Sequence, residues 1–226
     1  MTNDTMIKLE QHTIPGWLHG EVSEYFKPIP EDYNAWSVLD IGANIGAFAV
    51  AAQERWPTAD VICYEPMPMN VCQLRKNVAP DTVIVSAAVR KHSGVDFIYA
   101  GDSFVTSGFK QLGRQTDHRI MVECISAKEL PACEVIKIDT EGCEVEILTN
   151  LDLSCAHYIM IEHHTVENRA KIMDFLAVEF NLIYGEGDVT VGTLVFKHKW
   201  LISTPESLVD CTSSKAGEEP KIQING

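Results

Sequence analysis

From residue 37 onwards, short apolar runs alternate with stretches in which apolar residues recur at helical spacing. The runs are typical of buried strands, and the helical stretches are typical of amphipathic helices. We predict strands at residues 38–40, 61–65, 83–87, 95–99, 120–124, 135–139 and 158–162, and helices at residues 45–56, 70–78, 143–148 and 168–180. Residues 182–184 and 193–197 are predicted to form a closing antiparallel pair. Strands that alternate with helices predict an α/β fold in which helices cover both faces of a parallel sheet.

The chain divides into three regions. Residues 1–36 have a mixed composition with scattered aromatic residues, and we expect an N-terminal extension that could form a lid over a substrate. Residues 37–202 carry the alternating pattern and are predicted to form the main domain. Residues 203–226 are polar and contain Gly, Ser and Pro, as expected for a loosely ordered C-terminal tail.

The charge balance argues against two classes of partner. The 226 residues include 18 Lys and Arg against 32 Asp and Glu, which gives a formal net charge of −14. Nucleic acid and anionic membranes both bind basic surfaces, and no cluster of basic residues is visible. We therefore expect neither nucleic acid nor a membrane as the main partner.

The cysteines indicate a reducing compartment. The chain has seven, an odd number without CxxC or Cys/His spacing, and several lie inside apolar runs. We expect buried thiols rather than a disulfide framework or a zinc site. The N-terminus lacks the basic and apolar regions of a secretion signal, and no apolar run reaches the length of a membrane span. We therefore expect a cytoplasmic protein.

The segment VLDIGANIGA, residues 38–47, is the most informative part of the chain. An apolar run ends at Asp40, a glycine-rich turn follows from Gly42 to Gly46, and a helical pattern comes next, as in nucleotide-binding sites. Dinucleotide sites show GxGxxG and place a pyrophosphate at the helix start. Here the spacing is GxxxG, and a carboxylate beside the turn would repel a pyrophosphate and attract a cation. S-adenosylmethionine (SAM) has no phosphate and carries an ammonium and a sulfonium, so the turn favours SAM over NAD.

Polar residues follow five of the predicted strands. In a parallel sheet, ligands bind beyond the carboxyl ends of the strands, so these residues are expected to form one rim. They are Asp40, Glu65, Ser86, Asp139 with Glu141, and Glu162 with His163 and His164.

Several of these positions suggest a specific role. A carboxylate at Glu65 can accept both hydroxyls of an adenosine ribose, and Pro66 restricts the loop that follows. Lys137 and Asp139 share one face of a strand, and an ammonium in an apolar strand needs a nearby acid. Glu144 near a predicted helix start could equally be an acid that stabilises the helix dipole.

His163 and His164 point in opposite directions if their strand continues, so at most one of them faces the rim. A histidine there can act as a general base near neutral pH, and we choose His163 as a candidate together with Asp139 and Glu141. The same acids and imidazoles could hold a divalent cation such as Mg2+. No dedicated metal motif is present, so a metal site is the less favoured interpretation.

Three segments resemble the FkbM family of SAM-dependent methyltransferases: VLDIGANIGAFAV, VICYEPMPMNVCQLRKNV with its Glu-Pro-x-Pro and Asn77, and VIKIDTEGCEVEIL. The segment IMIEHH is a fourth similarity, and the four occur in the family's order. The resemblance implies the class I methyltransferase fold, a Rossmann-like, mostly parallel seven-stranded sheet with helices on both faces, with residues 37–202 as the methyltransferase domain. It also implies methyl transfer to a hydroxyl, often on a sugar or a secondary metabolite.

The resemblance also implies roles for individual residues. Carried over by position, the glycine-rich turn holds the methionine end of SAM, Glu65 holds its ribose, and Asp139 and Glu141 border the methyl-transfer centre. Lys137 would orient an acid or stabilise a developing alkoxide. The expected cofactor site comprises Asp40, Gly42, Ala43, Asn44, Gly46, Glu65, Pro66, Ser86, Ala87 and Asp139, and the expected catalytic residues are Asp139, Glu141, His163 and Lys137.

The expected activity is O-methylation of a small hydroxylated acceptor with SAM as the cofactor. Three alternatives stay open. The first is a SAM-dependent N-methyltransferase. The second is an NAD(P)-dependent oxidoreductase, which Asp40 and the missing GxGxxG disfavour. The third is a SAM-binding module without catalysis, which the complete rim of acids and imidazoles disfavours.

Overall fold

The computed structural model describes residues 6–7, 14–99 and 119–202. Within these ranges the chain forms twelve strands and five α-helices. In chain order they are β1 (Met6–Ile7), β2 (Ile14–Pro15), α1 (Gly16–Phe26), β3 (Ser37–Ile41), α2 (Ala47–Arg55), β4 (Asp60–Tyr64), α3 (Pro68–Asn77), β5 (Val83–Val85), β6 (Ala88–Arg90), β7 (Gly94–Tyr99), β8 (Arg119–Ser126), β9 (Val135–Ile138), α4 (Glu144–Leu148), β10 (Tyr158–His163), α5 (Val166–Leu176), β11 (Phe180–Gly187) and β12 (Gly192–His198). The predicted tail at residues 203–226 lies outside the described residues.

Seven strands form the main sheet in the order β11-β12-β10-β9-β3-β4-β5. The strands from β10 to β5 in this order are parallel to one another, and β12 is antiparallel to both of its neighbours. The predicted fold class, a mostly parallel seven-stranded sheet, is therefore confirmed. The strand order reverses between β3 and β9, and such a reversal opens a ligand crevice at the carboxyl ends of the strands.

The centre of the sheet is buried on both faces. All four residues of β9 are buried, and a strand in that position consists of a nearly continuous apolar run. In β3, Val38 packs with residues of α1 and α2, whereas Leu39 and Ile41 pack with residues of α4 and α5. Helices therefore cover both faces, as predicted.

A second sheet of three strands, in the order β6-β8-β7, lies apart from the main one. The strand predicted at residues 83–87 is divided by Ser86, because β5 ends at Val85 and the chain then enters β6 in the smaller sheet. The strands predicted at 95–99 and 120–124 pair with each other there as β7 and β8. Val95, Phe97 and Met121 are exposed, as is common where one face of an antiparallel sheet is solvated.

The described part of the predicted N-terminal extension contributes to the core. Leu18, Val22 and Phe26 of α1 are buried, and the ring of Phe26 stacks on that of Phe48 in α2 with a centroid distance of 5.2 Å. The role of a substrate lid stays a prediction.

The helices are short, between five residues in α4 and eleven in α1 and α5. The helix predicted at residues 168–180 begins at Val166, because the Thr165 hydroxyl caps it by accepting the N–H of Asn168 at 3.0 Å. It ends at Leu176, and Phe180 instead begins β11. Across the described residues, no helix has the length and apolarity needed to cross a bilayer.

Candidate active site

The glycine-rich turn between β3 and α2 lies against the end of β9. Gly42 has a φ of 77°, and a Cβ added there would lie 1.8 Å from the carbonyl oxygen of Asp139. Gly46 has a φ of 93°, and its Cβ would lie 2.6 Å from Cδ1 of Leu74. Both positions favour glycine because the backbone is left-handed, and at Gly42 the neighbouring backbone also leaves no room for a side chain.

Asn44 lies in the middle of the turn with a φ of 52°. Its N–H donates to Oε2 of Glu65 at 2.8 Å, and Nδ2 of Asn77 donates to the neighbouring carbonyl oxygen of Ile45 at 2.7 Å. Oδ1 of Asn44 is buried and has no hydrogen-bond partner among the described residues. A buried polar atom in that state is costly, so a ligand that donates a hydrogen bond to it would be favoured.

Glu65 is buried directly after β4. Its Oε1 accepts the N–H of Met67 at 2.9 Å and Nδ2 of Asn70 at 3.2 Å, while its Oε2 accepts the N–H of Asn44. Burial raises the pKa of Glu65, and these hydrogen bonds oppose the shift. Sequence reasoning missed Asn70, and the available signal was an amide side chain on the buried side of a helix.

A buried ion pair lies beneath the turn. Oδ1 of the fully buried Asp40 is 3.3 Å from Nζ of Lys137. The same Nζ donates to the carbonyl oxygen of Gly42 at 2.7 Å and lies 3.6 Å from Oδ2 of Asp139. Burial opposes the charge on Lys137, yet Asp40 and Asp139 raise the pKa of Lys137 above its usual value.

This arrangement gives Asp40 a partner within the protein, and its role in holding SAM stays a prediction. Lys137 has the nearby acid that its position predicts, and the cation that Asp40 attracts is Lys137 itself. Burial also raises the pKa of Asp40. Asp40 therefore supports the turn from within the sheet and does not line its surface.

Glu144 connects the loop after β9 to the start of α5. Its Oε1 accepts the N–H of Gly142 at 2.6 Å and lies 3.0 Å from Nδ1 of His164, and its Oε2 accepts Nδ2 of Asn168 at 3.0 Å. Although burial opposes the charged form, the bond with His164 lowers the pKa of Glu144. Glu144 is fully buried, so these contacts, in addition to the helix dipole, account for its position.

The structure brings His164, not His163, into the cluster of rim acids. Nε2 of His164 lies 3.8 Å from Oε2 of Glu141 and 3.9 Å from Oε1 of Glu162. Although burial opposes it, Glu144 and the neighbouring acids raise the pKa of His164 to about 9. The imidazole is therefore charged at neutral pH.

His163 is 1% exposed and is paired in register with Gly192 of β12. Its Nδ1 has no hydrogen-bond partner among the described residues, and burial lowers the pKa of His163. Its choice as the rim histidine does not fit this placement. Side chains alternate along a strand, so the face that presents Glu162 also presents His164, and this signal was available in the sequence.

Pro66, Ser86 and Ala87 lie near Glu65, where β4 and β5 end. The N–H of Glu65 donates to the carbonyl oxygen of Val85 at 3.1 Å, which joins the two strand ends. Ser86 is exposed, Pro66 is half-buried and Ala87 is buried. Of these three residues, Ser86 alone offers a polar side chain.

A small cavity of about 40 Å³ opens beside the turn. Helix α1 forms one wall, and the turn, α2 and β9 form the others. Its lining includes Leu18, Val22, Tyr25, Ala43, Asn44, Lys137 and Asp139. The helix from the N-terminal region therefore lines the same cavity as the predicted cofactor and catalytic residues.

Comparison with known proteins places this site within a family. Residues 40–184, well over half of the chain, match the methyltransferase FkbM domain. The chain is 28% identical over 142 residues to hexuronic acid methyltransferase AglP of Haloferax volcanii, a match that covers 59% of this chain and 57% of that protein. It is 22% identical over 174 residues to methyltransferase 1 of Beauveria bassiana, a match that covers 62% of this chain and 66% of that protein. The chain thus spans less than two thirds of the length of these curated relatives.

Among solved structures, a putative RNA methyltransferase from Pyrococcus horikoshii has a TM-score of 0.51 and 14% identity, with 88% of this chain and 92% of that chain covered. This likeness shows the fold alone. The family match shows more: the chain belongs to the FkbM methyltransferase family. The resemblance read from the sequence is confirmed, and the matched region contains the glycine-rich turn, Glu65, Lys137 and the rim acids.

Proposed function

We propose that this protein transfers the methyl group of SAM to a hydroxyl of a small acceptor, a sugar or a secondary metabolite. The observation that carries the proposal is the turn against β9, with left-handed backbone at Gly42, Asn44 and Gly46 and with Glu65 fixed beside it. A sugar acceptor is supported by the Haloferax relative, which is named as a hexuronic acid methyltransferase. A net charge of −14 supports a small acceptor over a nucleic acid.

The hydrogen bonds of the turn argue against a dinucleotide. A pyrophosphate binds to free N–H groups at a helix start. In this turn, four N–H groups already have protein acceptors: those of Gly42, Ala43, Asn44 and Gly46. A dinucleotide phosphate would therefore find few free donors, which supports SAM over NAD(P).

The residues present fit SAM. Oδ1 of Asn44 lacks a partner among the described residues and would accept a hydrogen bond from the ammonium of the methionine moiety. Oε2 of Glu65 has one protein donor, so it retains acceptor capacity for a ribose hydroxyl. When bound, SAM supplies a methyl group on a positively charged sulfonium.

The proposed chemistry needs a group that accepts the proton of the acceptor hydroxyl. His164 is charged at neutral pH, so a carboxylate takes this role. We assign it to Glu141, which has a left-handed φ of 56°, because strained backbone is often found at functional sites. The hydroxyl becomes more acidic as its oxygen takes the methyl group, and Glu141 removes the proton at that point. Asp139 would orient the hydroxyl, and Lys137 is a positioning residue for Asp139 and the turn.

Calorimetry with SAM, S-adenosylhomocysteine and NAD(H) tests cofactor choice: we expect binding of the first two and none of NAD(H). Methyl transfer from radiolabelled SAM is then measured on uronic acids, neutral sugars and hydroxylated aromatics. An alkali-stable product indicates an ether, whereas an alkali-labile product would place the methyl group on a carboxylate. NAD binding without SAM binding would contradict the proposal.

On the best acceptor, Glu141→Gln is expected to lower kcat by about 10²–10³-fold with SAM affinity unchanged. Two matched controls are Glu167→Gln, an exposed glutamate of α5, and His163→Gln, and both should retain kcat. If Glu141→Gln also retains kcat, the proton acceptor has been assigned wrongly.

A further inference from the structure

Three side chains at the ends of β9 and β10 converge on one point of the rim. One ligating atom from each of Asp139, Glu162 and His164 lies within 4.8 Å of the other two. All three residues are half-buried. Two carboxylate oxygens and an imidazole nitrogen are a common donor set for divalent metal ions.

The orientation of His164 is an independent observation. Its side chain is 9% exposed, and its Nδ1 is fixed at 3.0 Å from the fully buried Glu144. Its Nε2 faces the cluster but makes no hydrogen bond within the part of the chain that the structure describes, since the nearest ion-pair oxygens are at 3.8 and 3.9 Å. Metal-binding histidines have this arrangement, in which a carboxylate holds one ring nitrogen and leaves the other for the metal.

The charges around Nε2 also favour a cation. The carboxylates of Asp139, Glu141, Glu144 and Glu162 surround a single imidazole. The neighbouring ammonium of Lys137 is 3.6 Å from Asp139 but is already paired with Asp40 and bonded to the carbonyl oxygen of Gly42. Carboxylates this close repel one another, and a divalent cation bound between them would reduce that repulsion.

We propose that Asp139, Glu162 and His164 bind a divalent transition-metal ion, with Glu144 orienting His164. The ion displaces the proton that Nε2 of His164 carries in its absence, and this proton leaves to solvent. A mixed oxygen and nitrogen donor set suits Mn2+ better than Mg2+, which prefers oxygen ligands. Three protein ligands leave coordination positions open, where the acceptor hydroxyl and a neighbouring oxygen of the sugar could bind. This use of the ion rests on the proposed function, whereas binding of the ion does not.

The test uses the full chain without SAM. Mn2+ is titrated into the chelator-treated protein, and the free ion is followed by electron paramagnetic resonance. We expect one strong site per chain and, in electron spin-echo measurements, a nitrogen coupling from a coordinated imidazole. Absence of either signal in the native protein would overturn the proposal, whatever the variants show.

Asp139→Asn, Glu162→Gln, His164→Gln and Glu144→Gln should each weaken Mn2+ binding by at least about tenfold, and His164→Gln should also remove the nitrogen coupling. Two exposed controls, His92→Gln and Glu167→Gln, should change neither. Folded variants of the three ligands that bind Mn2+ as tightly as the native protein would overturn the site.

SAM binding, measured separately, distinguishes the two proposals. If Mn2+ binds at the triad while SAM does not bind, the methyl-transfer proposal fails and the metal site stands. If SAM binds and is turned over while Mn2+ does not bind, the metal site fails alone.

Discussion

The two ends of the main sheet differ in how their buried polar groups are satisfied. At the amino end, Glu134 accepts the N–H of Trp36 at 2.7 Å, and the hydroxyl of Tyr33 lies 2.9 Å from Nδ1 of His157. Of the five buried side-chain atoms without a hydrogen-bond partner among the described residues, four belong to three residues in the carboxyl half: Asp40, Asn44 and His163. The fifth is Nε of Arg55, at the end of α2.

Within this set, Asp40 lies 3.3 Å from its ion-pair partner Lys137, and His163 is paired in register with Gly192 of β12. Asn44 is the member that lines the cavity beside the turn. A buried polar group that is satisfied by the protein stabilises the fold, whereas one without a partner has a cost that a ligand can remove. Changes at the amino end should therefore affect only the stability of the fold. Changes at the carboxyl end should affect ligand binding as well, and the following experiments test that division.

The largest expected effect is that of Lys137→Met. The substitution leaves the carboxylate of Asp40 buried without its cation, which typically costs about 3–5 kcal/mol. We expect a loss of that size in the free energy of unfolding, measured with urea at pH 7. The double variant with Asp40→Asn should recover much of the loss, because both charges are then removed. A loss below about 1 kcal/mol for Lys137→Met would show that the pair contributes little.

Gly42→Ala comes next. Its Cβ would meet the carbonyl oxygen of Asp139 at 1.8 Å in a left-handed backbone, and we expect a loss of about 2–4 kcal/mol in stability together with weaker SAM binding. Gly20→Ala in α1 is the matched control, because nothing lies within 4 Å of its Cβ. It should raise stability by up to about 1 kcal/mol, since alanine favours helices. Thermal unfolding measures both variants, and similar changes in their melting temperatures would argue against a tight turn at Gly42.

Glu65→Ala and Glu134→Ala compare two buried glutamates at opposite ends of the sheet. Glu65→Ala should weaken SAM binding by about 1–3 kcal/mol, because a buried polar partner is lost. Glu134→Ala should lower stability by a similar amount, because the N–H of Trp36 loses its acceptor, and it should leave SAM affinity unchanged. Calorimetry measures the SAM affinity of both variants, and urea unfolding measures their stability. If both weaken SAM binding equally, the two ends do not differ as proposed.

The sequence predicts the glycine-rich turn and Glu65 better than it predicts the cluster of acids around His164. The turn depends on local features: glycine spacing, a strand before it and Glu65 after the next strand. His164, not His163, lies with the rim acids, as the alternation from Glu162 indicates, although β10 ends at His163 and the Thr165 cap starts α5 at once. The sequence places Asp139, Glu162 and His164 on one rim, whereas their convergence on one point depends on the parallel pairing of β9 with β10. The second sheet was also missed, because nothing in the apolar run at 83–87 marks the change of sheet at Ser86.

The smallest expected effect is on the pH dependence of folding stability, through His157 at the amino end of the sheet. Burial, with a smaller contribution from His198, lowers the pKa of His157 to about 4, against about 6.5 in an unfolded chain. As pH falls below 6.5, the unfolded chain binds a proton that the folded protein resists, so stability decreases until about pH 4.

Because His157 is only half-buried, we expect this group to account for about 1–2 kcal/mol of the stability lost between pH 7 and pH 4.5. His157→Gln keeps an acceptor near the Tyr33 hydroxyl but removes the titrating group. Between pH 7 and pH 4.5 this variant should therefore lose about 1–2 kcal/mol less stability than the native protein. Urea unfolding at the two pH values measures the difference between the two proteins, since the other titrating groups are common to both. SAM affinity measured at pH 7 should be the same for both proteins, as expected for a residue at the structural end of the sheet. An identical pH dependence of unfolding in the two proteins would show that His157 is not held neutral by the fold.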